Sequence, residues 1–296
     1  MKDLSGSRIL ITGGAGFIGS HIADRLLEEN IEEVIVIDNF IRWSKTNLAG
    51  ALSSGKVKLV SGDIRDRDLL DDLFQSVDYC FHMAALRINH CSAEPRQALE
   101  VMFDGVFNVA EACVKHRIKK VVVASSASIY GAADIFPIHE SHHPYNNRTL
   151  YGTGKLAAEG IFRAFNEMYG LDYNAMRYFN VYGPRMDIYG KYTEVLIRWY
   201  HLVKRGERPL IYGDGKQTMD FVYVDDVARA NILALKADIT DQVFNVASGQ
   251  ETSLADLCSL LLEAMGSDLR PKYVPLPDER QKVEVNRRLA DTSEAR

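Results

Sequence analysis

Tyr151 and Lys155, in the middle of the chain, have the types and spacing of a proton-transfer pair. They lie four residues apart in Tyr151-Gly152-Thr153-Gly154-Lys155, so a helix here places phenol and ammonium one turn apart on one face. A free tyrosine titrates at about pH 10, and a pKa of about 7 requires roughly 4 kcal/mol of preferential stabilisation of the phenolate. A nearby ammonium, helped by any cationic ring bound beside it, acts in this direction. The same spacing also fits a surface tyrosine beside a solvated lysine, so the surrounding segments must decide.

A glycine-rich turn near the N-terminus connects a buried strand, residues 8–12, to an apolar-periodic helix. The glycines at 13, 16 and 19 permit a tight turn, close backbone approach to a pyrophosphate and close helix–strand packing. A second apolar run, residues 34–37, ends in Asp38, whose carboxylate can hold both hydroxyls of a ribose. Strand, glycines, helix, strand and acid in this order predict a dinucleotide site rather than an ordinary glycine-rich turn.

The composition indicates a soluble enzyme with a large core. The chain has 296 residues, 47% of them hydrophobic, and a net charge of −5 with both signs interspersed. We find no basic stripe for nucleic acid and no apolar run near the roughly 20 residues of a membrane helix. Residues 1–4 lead directly into the first strand without a signal peptide, so we expect a cytoplasmic protein. The four cysteines form no Cys-x-x-Cys pair and are expected to be buried thiols, with no disulfide or zinc site.

Strand and helix signals alternate as far as residue 177, which predicts a parallel sheet with helices on both faces. Ligands of such sheets bind beyond the carboxyl ends of the strands, where this sequence has Gly13, Asp38, Ala84, Ser126 and Phe179. The small residues at 84 and 85 let the backbone pass close to a cofactor, and the acid at 63 is placed to touch an adenine edge.

A long predicted helix, about residues 95–116, has apolar side chains around far more than one stripe. A helix of this kind needs apolar cover beyond the sheet, so we infer that it forms a subunit interface.

Six motifs, in order, resemble the extended short-chain dehydrogenase/reductase family. They are Thr12-Gly13-Gly14-Ala15-Gly16-Phe17-Ile18-Gly19, His82-Met83-Ala84-Ala85, Ser125-Ser126-Ala127-Ser128-Ile129-Tyr130-Gly131, Tyr151-Gly152-Thr153-Gly154-Lys155, Arg177-Tyr178-Phe179-Asn180 and Asp220-Phe221-Val222-Tyr223-Val224-Asp225-Asp226. Within the family the similarity is greatest to NAD-dependent nucleotide-sugar epimerases and dehydratases, especially UDP-sugar 4-epimerases.

The resemblance implies a tightly held NAD+ and a role for each catalytic residue. Tyr151 takes the proton of the sugar C4 hydroxyl, Lys155 binds the nicotinamide ribose, Ser126 bonds the same sugar oxygen and Asn180 contacts the diphosphate. It also implies a homodimer through helices 95–116 and 151–169. The expected architecture is a Rossmann-like doubly wound domain, residues 1–180, that binds NAD. Residues 181–296 then form mainly a smaller C-terminal α/β lid for the substrate, with some segments returning to the large domain.

The predicted site has three sets of residues. The catalytic residues are Tyr151, Lys155 and Ser126. The predicted cofactor contacts are Gly13, Gly16, Phe17, Ile18, Gly19, Asp38, Asn39, Asp63, Ile64, Ala84, Ala85, Ser125, Tyr151, Lys155, Tyr178 and Phe179. The predicted substrate contacts are Arg87, Ser126, Asn180, Leu210, Tyr212 and Arg280. We predict no metal site, because the histidines of segment 139–143 lie in a proline-flanked loop without helical or strand spacing.

One position departs from the family pattern at the diphosphate. Met219 stands where relatives usually have an arginine that binds the diphosphate. Arg280, Arg185 or Arg288 must then replace it, or the nucleotide is held differently.

The residues after Ser126 bear on the type of reaction. A 4,6-dehydratase needs an acid and a base there, typically Asp-Glu, whereas this chain has Ala127 and Ser128. We therefore predict C4 epimerisation of a UDP-hexose or UDP-N-acetylhexosamine. Dehydration, 4,6- or 5,6-, with an acid from Glu140, His90 or Cys91 is the alternative. A non-catalytic sensor is a third possibility, but it would not need Tyr151, Lys155 and Ser126 together.

The choice of cofactor is the first testable prediction. Asp38 should accept hydrogen bonds from both ribose hydroxyls and repel a 2′-phosphate, so NAD should bind and NADP should not. Arg42 is the one residue that could rescue NADP binding. Titration of the protein with both dinucleotides tests this, and equal or tighter binding of NADP would contradict it.

Overall fold

A computed structural model describes residues 1–42, 45–188, 194–276 and 285–296. Its strands are β1 (Arg8–Thr12), β2 (Glu33–Asp38), β3 (Val57–Ser61), β4 (Tyr79–His82), β5 (Lys120–Ser126), β6 (Tyr173–Tyr178), β7 (Asn180–Tyr182), β8 (Leu210–Tyr212), β9 (Thr218–Tyr223), β10 (Gln242–Val246), β11 (Glu251–Ser253) and β12 (Lys272–Val274).

The helices alternate with these strands through the first half of the chain. They are α1 (Phe17–Leu26), α2 (Ala49–Ser53), α3 (Arg67–Phe74), α4 (Ile88–Ala93), α5 (Pro95–Leu99), α6 (Gly105–Lys115), α7 (Leu150–Tyr169), α8 (Val195–Lys204), α9 (Val224–Lys236) and α10 (Leu254–Ala264). In these described segments, no helix combines the length and the apolar character that a membrane crossing requires.

Seven parallel strands form the central sheet in the order β10-β6-β5-β4-β1-β2-β3. Successive side chains of a strand point to opposite faces, so Leu10 of β1 packs with α3, α6 and α7, while Ile9 and Ile11 pack with α1 and α9. Both faces are therefore apolar and covered. The predicted doubly wound, Rossmann-like α/β fold is confirmed.

The strand order reverses between β1 and β4, which opens a crevice at their carboxyl ends. Gly13 follows β1 with a φ of +67°, and a Cβ there would stand 2.7 Å from the Cα of Ala84, just after β4. Glycine is required at this position for both the backbone conformation and the close approach of the two chains. The crevice is thus built by the two segments from which the sequence predicts a dinucleotide site.

The helical segment predicted at 95–116 has a break in its hydrogen-bonding pattern. Residues Glu100–Asp104 between α5 and α6 are π-helical, an arrangement that occurs mostly as single turns and frequently at functional sites. The wider turn carries Val101 to the crevice and Met102 to Gly154 of α7.

Residues beyond 180 contribute to two parts of the molecule. Strand β10 extends the central sheet beside β6, and α9 covers one of its faces against α1. Strands β8 and β12 pair with each other and lie with α8 and α10 around a separate small core of Trp199, Ile211, Cys258 and Leu262. This second part stands over the carboxyl ends of the sheet.

Asp220 of β9, part of the last recognised motif, has a structural role. It is fully buried and its carboxylate accepts hydrogen bonds from the backbone N–H groups of Ser248 at 2.8 Å, Gly249 at 3.0 Å and Ala290 at 3.2 Å. The C-terminal segment 286–290 is thereby attached to β9, where the N–H of Arg288 also donates to the carbonyl of Thr218 at 3.0 Å.

Candidate active site

A cavity of about 410 Å³ lies in the crevice at the carboxyl ends of the strands, and we call it the main cavity. Every cofactor contact predicted from the sequence lines it, as do Ser126, Arg87 and Asn180. The structure also places there residues that the sequence did not mark as contacts, among them Val101, Met186, Asp187 and Glu194. These come from a helix interior and from loops, where no local pattern signals a ligand.

At the adenosine end, Asp38 is 8% exposed and faces the glycine-rich turn. Its carboxylate accepts hydrogen bonds from the N–H of Ala15 at 3.0 Å and of Phe40 at 2.8 Å. Burial raises the pKa of Asp38, and these two hydrogen bonds oppose the shift. The side chain is therefore held in one orientation at the cavity wall, as a ribose-binding carboxylate requires.

Asp63 lies beside Asp38, and neighbouring side chains hold its carboxylate in place. Burial acts to raise the pKa of Asp63, but hydrogen bonds from Arg65 and Asn39 bring this pKa to about 2. Arg65 also bonds Glu100 at 2.9 Å, which connects this end of the cavity to the π-helical turn.

At the opposite end, α7 carries Tyr151 and Lys155 on one face, as the spacing predicts. Thr149 caps the helix by accepting the N–H of Gly152 at 3.0 Å. The ammonium of Lys155 is buried, donates to the carbonyl of Ala124 at 2.6 Å and lies 6.0 Å from the Tyr151 ring centroid. Burial lowers the pKa of Lys155 to about 8, so the side chain is mostly charged at neutral pH.

The pKa of Tyr151 is raised, whereas the sequence predicted that the ammonium of Lys155 would lower it. Burial raises it above the usual value, and a hydrogen bond with Ser126 and the positive charges of Arg288 and Arg87 oppose the rise. Lys155 does not act as the main counter-charge, because its ammonium is directed to the carbonyl of Ala124. A phenolate at this position therefore needs further positive charge, which the oxidised nicotinamide ring supplies when NAD is bound.

Ser125 and Ser126, adjacent in β5, have different partners. The hydroxyl of Ser125 donates to the buried carboxylate of Glu159 on α7, so any cofactor contact at this residue comes from its other atoms. The hydroxyl of Ser126 lies at the cavity beside Tyr151 and accepts the N–H of Ser128 at 3.1 Å. Only Ser126 is placed to bond a reacting sugar oxygen.

An adjoining cavity of about 500 Å³ extends from the main one toward α8 and α10. The predicted substrate contacts Arg87, Asn180, Leu210 and Tyr212 line it, together with Trp199, Phe221 and Leu254. Asn180 borders both cavities, and its Oδ1 atom is buried without a hydrogen-bond partner in the described segments. Such an atom fits a bound ligand.

The three arginines that could replace the family's diphosphate ligand have different positions. Arg185 bonds Asp24 of α1 at 2.6 Å and lines neither cavity, while its Nη1 atom is buried without a hydrogen-bond partner in the described segments. Its role at the diphosphate stays a prediction. Arg288 lines the main cavity only, at the Tyr151 end. Arg280 lies outside the described residues. Met219, at the family's arginine position, lines the adjoining cavity.

The side chains considered as alternative acids lie outside both cavities. Glu140 accepts the N–H of Asn245 at 2.6 Å, and His90 bonds Gln97 at 2.6 Å. Cys91 is buried in α4. In the loop before α7, His142 and His143 gather at Asp134, apart from the catalytic residues.

The residues present fit NAD, since the crevice combines a glycine turn that leaves no space for a Cβ, a fixed ribose-facing carboxylate and a Ser–Tyr–Lys group. These features define a dinucleotide-dependent enzyme. Residues 9–247 match the family model of the NAD dependent epimerase/dehydratase family, and the chain belongs to this family. The family resemblance, the epimerase class and the NAD cofactor predicted from the sequence are confirmed.

Individual relatives of this chain bear the names of enzymes that act on UDP-sugars. A putative UDP-glucose 4-epimerase of Methanocaldococcus jannaschii is 38% identical over 261 residues, covering 87% of this chain and 82% of that protein. A UDP-N-acetyl-alpha-D-glucosaminuronate decarboxylase of Bacillus cytotoxicus is 33% identical over 278 residues, covering 90% and 83%. The solved UDP-N-acetylglucosamine 4-epimerase of Methanobrevibacter ruminantium M1, in complex with UDP-N-acetylmuramic acid, has a TM-score of 0.91 at 35% identity and covers 99% of this chain and 91% of its own.

Replacing Tyr151 tests the catalytic assignment. Tyr151→Phe keeps the ring and its packing but removes the proton acceptor, so turnover should fall by roughly 100-fold or more. NAD should remain bound, as measured by its release on denaturation, whereas Lys155→Ala should also weaken NAD binding. Tyr169→Phe, an exposed tyrosine of the same helix, serves as the control. Wild-type turnover in Tyr151→Phe would show that another group is the base.

Proposed function

We propose that the enzyme inverts the configuration at C4 of a UDP-linked hexose or N-acetylhexosamine by transient oxidation to the 4-keto sugar. The observation that carries this proposal is the distribution of carboxylates. In the described segments, those lining the main cavity are Asp38 and Asp63 at the adenosine end, and Asp187 and Glu194, each paired with an arginine. None stands beside Tyr151 to act as a second acid or base.

The side chains at this end support a proton transfer at one oxygen. The phenolate of Tyr151 accepts the C4 hydroxyl proton, the hydroxyl of Ser126 holds the same oxygen, and bound NAD supplies the hydride acceptor. Lys155 contributes positive charge beneath the tyrosine. Once the 4-keto sugar has turned its other face, C4 would take the same hydride back from the reduced cofactor while Tyr151 returns the proton to the oxygen, and the C4 epimer results.

The arrangement of the two cavities suits a sugar that must turn. The adjoining cavity offers apolar and aromatic side chains for a nucleotide base, from Trp199, Leu210 and Phe221. Asn180 lies where the two cavities meet and supports the diphosphate between them. The nucleotide can then stay anchored while the sugar rotates. The relatives reported above bear the names of UDP-sugar enzymes, which favours UDP as the nucleotide.

The dehydratase alternative needs an acid and a base that reach C5 and C6. Glu140, His90 and Cys91 do not line either cavity in the described part of the chain, so nothing observed there favours dehydration.

Product analysis in D2O separates the two reactions. The enzyme is incubated with UDP-glucose, UDP-N-acetylglucosamine and their uronic acids, and the products are examined by NMR and mass spectrometry. Epimerisation gives a C4 epimer of unchanged mass with no deuterium at C5, because no C5 proton is removed. A product lighter by one water, or one carrying solvent deuterium at C5, would reject the epimerase proposal.

We also propose that two copies associate through the predicted helices 95–116 and 151–169. Phe107 of α6 is 44% exposed and packs edge-to-face against Phe165 of α7, which in turn packs edge-to-face against the exposed Tyr169, with ring centroids 5.4 and 5.2 Å apart. Leu99 and Met168 extend this exposed apolar surface. A continuous aromatic surface of this kind is typical of an interaction site.

Light scattering tests the dimer. Phe107→Glu introduces a charge into the proposed interface and should shift the protein from dimer to monomer at micromolar concentration. Leu260→Glu changes a similarly exposed apolar residue on α10 and should leave the mass unchanged. A wild-type protein that is monomeric, or a Phe107→Glu variant that stays dimeric, would contradict this interface.

A further inference from the structure

Among the residues that the structure describes, the Tyr151 end of the main cavity has positive charge with no carboxylate of the cavity wall beside it. The acids of the cavity wall are engaged elsewhere, with Asp187 bonded to Arg42 at 3.0 Å and Glu194 to Arg87 at 2.7 Å. The cations left at the Tyr151 end are Lys155 and Arg288. Lys155 donates to a backbone carbonyl and lies beneath the tyrosine ring. Arg288 makes no side-chain hydrogen bond and no ion pair within the described segments.

The main chain fixes where Arg288 stands. Its N–H donates to the carbonyl of Thr218 at 3.0 Å, and two residues later the N–H of Ala290 donates to buried Asp220. The preceding residue, Arg287, is directed away from the cavity and pairs with Glu251 at 2.7 Å. Two adjacent arginines therefore have different surroundings, one in a surface ion pair and one at the wall of the main cavity.

The position of Arg288 indicates which part of the proposed substrate its guanidinium faces. It lines the main cavity and not the adjoining one, and Ala290, two residues on, packs in one cluster with Ala127, which directly follows Ser126. The segment that carries Arg288 therefore passes the Tyr151 end of the main cavity. The positive charge of Arg288 lowers the pKa of Tyr151, which agrees with this position. In a hexose whose C4 oxygen bonds Tyr151, the neighbouring groups are the C3 hydroxyl and the C6 group carried by C5, so C6 lies within reach of a residue beside that tyrosine.

We propose that Arg288 binds a carboxylate at C6 of the sugar, so that the preferred substrate is a nucleotide-linked uronic acid; this inference rests on the proposed C4 epimerisation. A guanidinium withdrawn from water is costly unless an anion pairs with it. A carboxylate matches its planar fork with two charge-assisted hydrogen bonds, whereas a neutral C6 hydroxyl leaves the charge unpaired. Ser128, which lines the same cavity, adds a hydroxyl and no competing negative charge.

The test compares acidic and neutral sugars in matched variants. The values of kcat and KM are measured for UDP-glucuronic acid and UDP-glucose in the wild type, Arg288→Met, Arg288→Lys and Arg287→Met. The wild type should prefer the acid. Arg288→Met should lower the ratio of kcat/KM for the acid to that for the neutral sugar by roughly 30- to 100-fold, and Arg288→Lys should restore part of it. Arg287→Met, which removes a neighbouring cation outside the cavity, should leave the ratio unchanged.

Calorimetry with UDP alone and with both UDP-sugars separates this inference from the other readings of the site. UDP should bind equally well to the wild type and to Arg288→Met, while the acidic sugar should bind more weakly to the variant. Equal loss of affinity for UDP would assign Arg288 to the diphosphate and overturn the inference. A wild-type preference for the neutral sugar would overturn it too, with C4 epimerisation intact. Absence of C4 inversion for every sugar would reject the proposed function, and the binding ratios would still decide the role of Arg288.

Discussion

The catalytic geometry depends on one buried ion pair between the central sheet and the catalytic helix. Arg177 of β6 bonds the carboxylate of Glu159 on α7 through two nitrogens, at 2.9 and 2.7 Å. Ser125 donates to the same carboxylate, and Arg177 also donates to the hydroxyl of Tyr130 at 2.8 Å. A buried pair of this kind offsets the cost of desolvation only when its hydrogen bonds are complete, and losing one partner typically costs about 3–5 kcal/mol. This ion pair, which lies beneath the cavity, therefore fixes the position of Tyr151 on α7 relative to Ser125 and Ser126 on β5.

Burial acts against both charged forms that the chemistry uses. It raises the pKa of Tyr151 and lowers the pKa of Lys155. In the protein alone, both side chains therefore favour their uncharged forms more than the free side chains do. Bound NAD+ would add positive charge to that of Lys155 and Arg288. This arrangement couples the basicity of the tyrosine to the presence of the oxidised dinucleotide, because positive charge beside the phenol favours the phenolate.

The C-terminal half completes the site because it connects the adjoining cavity, which is proposed for the nucleotide, to the main cavity, which fits the cofactor. Asp220 holds the turn after β10 and the segment that carries Arg288 to β9. Arg87, which follows β4, pairs with Glu194 at the start of α8 and so connects the large sheet to the smaller core. The two cavities meet at Asn180, between these connections. The proposed substrate would span both parts, with its nucleotide in the adjoining cavity and its sugar beside Tyr151.

The sequence by itself determined the parallel sheet, the glycine turn with Asp38, and the Ser126–Tyr151–Lys155 group, because each depends on periodicity or spacing within a short stretch of chain. Only the tertiary structure decided how distant charges pair. It joined Arg185 to Asp24 and, within the described residues, left Arg288 without an ion pair at the Tyr151 end of the cavity. It also brought Val101 to the cavity through a π-helical turn and returned β10 to the central sheet. These contacts join residues far apart in the chain, and no local pattern encodes which of several arginines meets which acid.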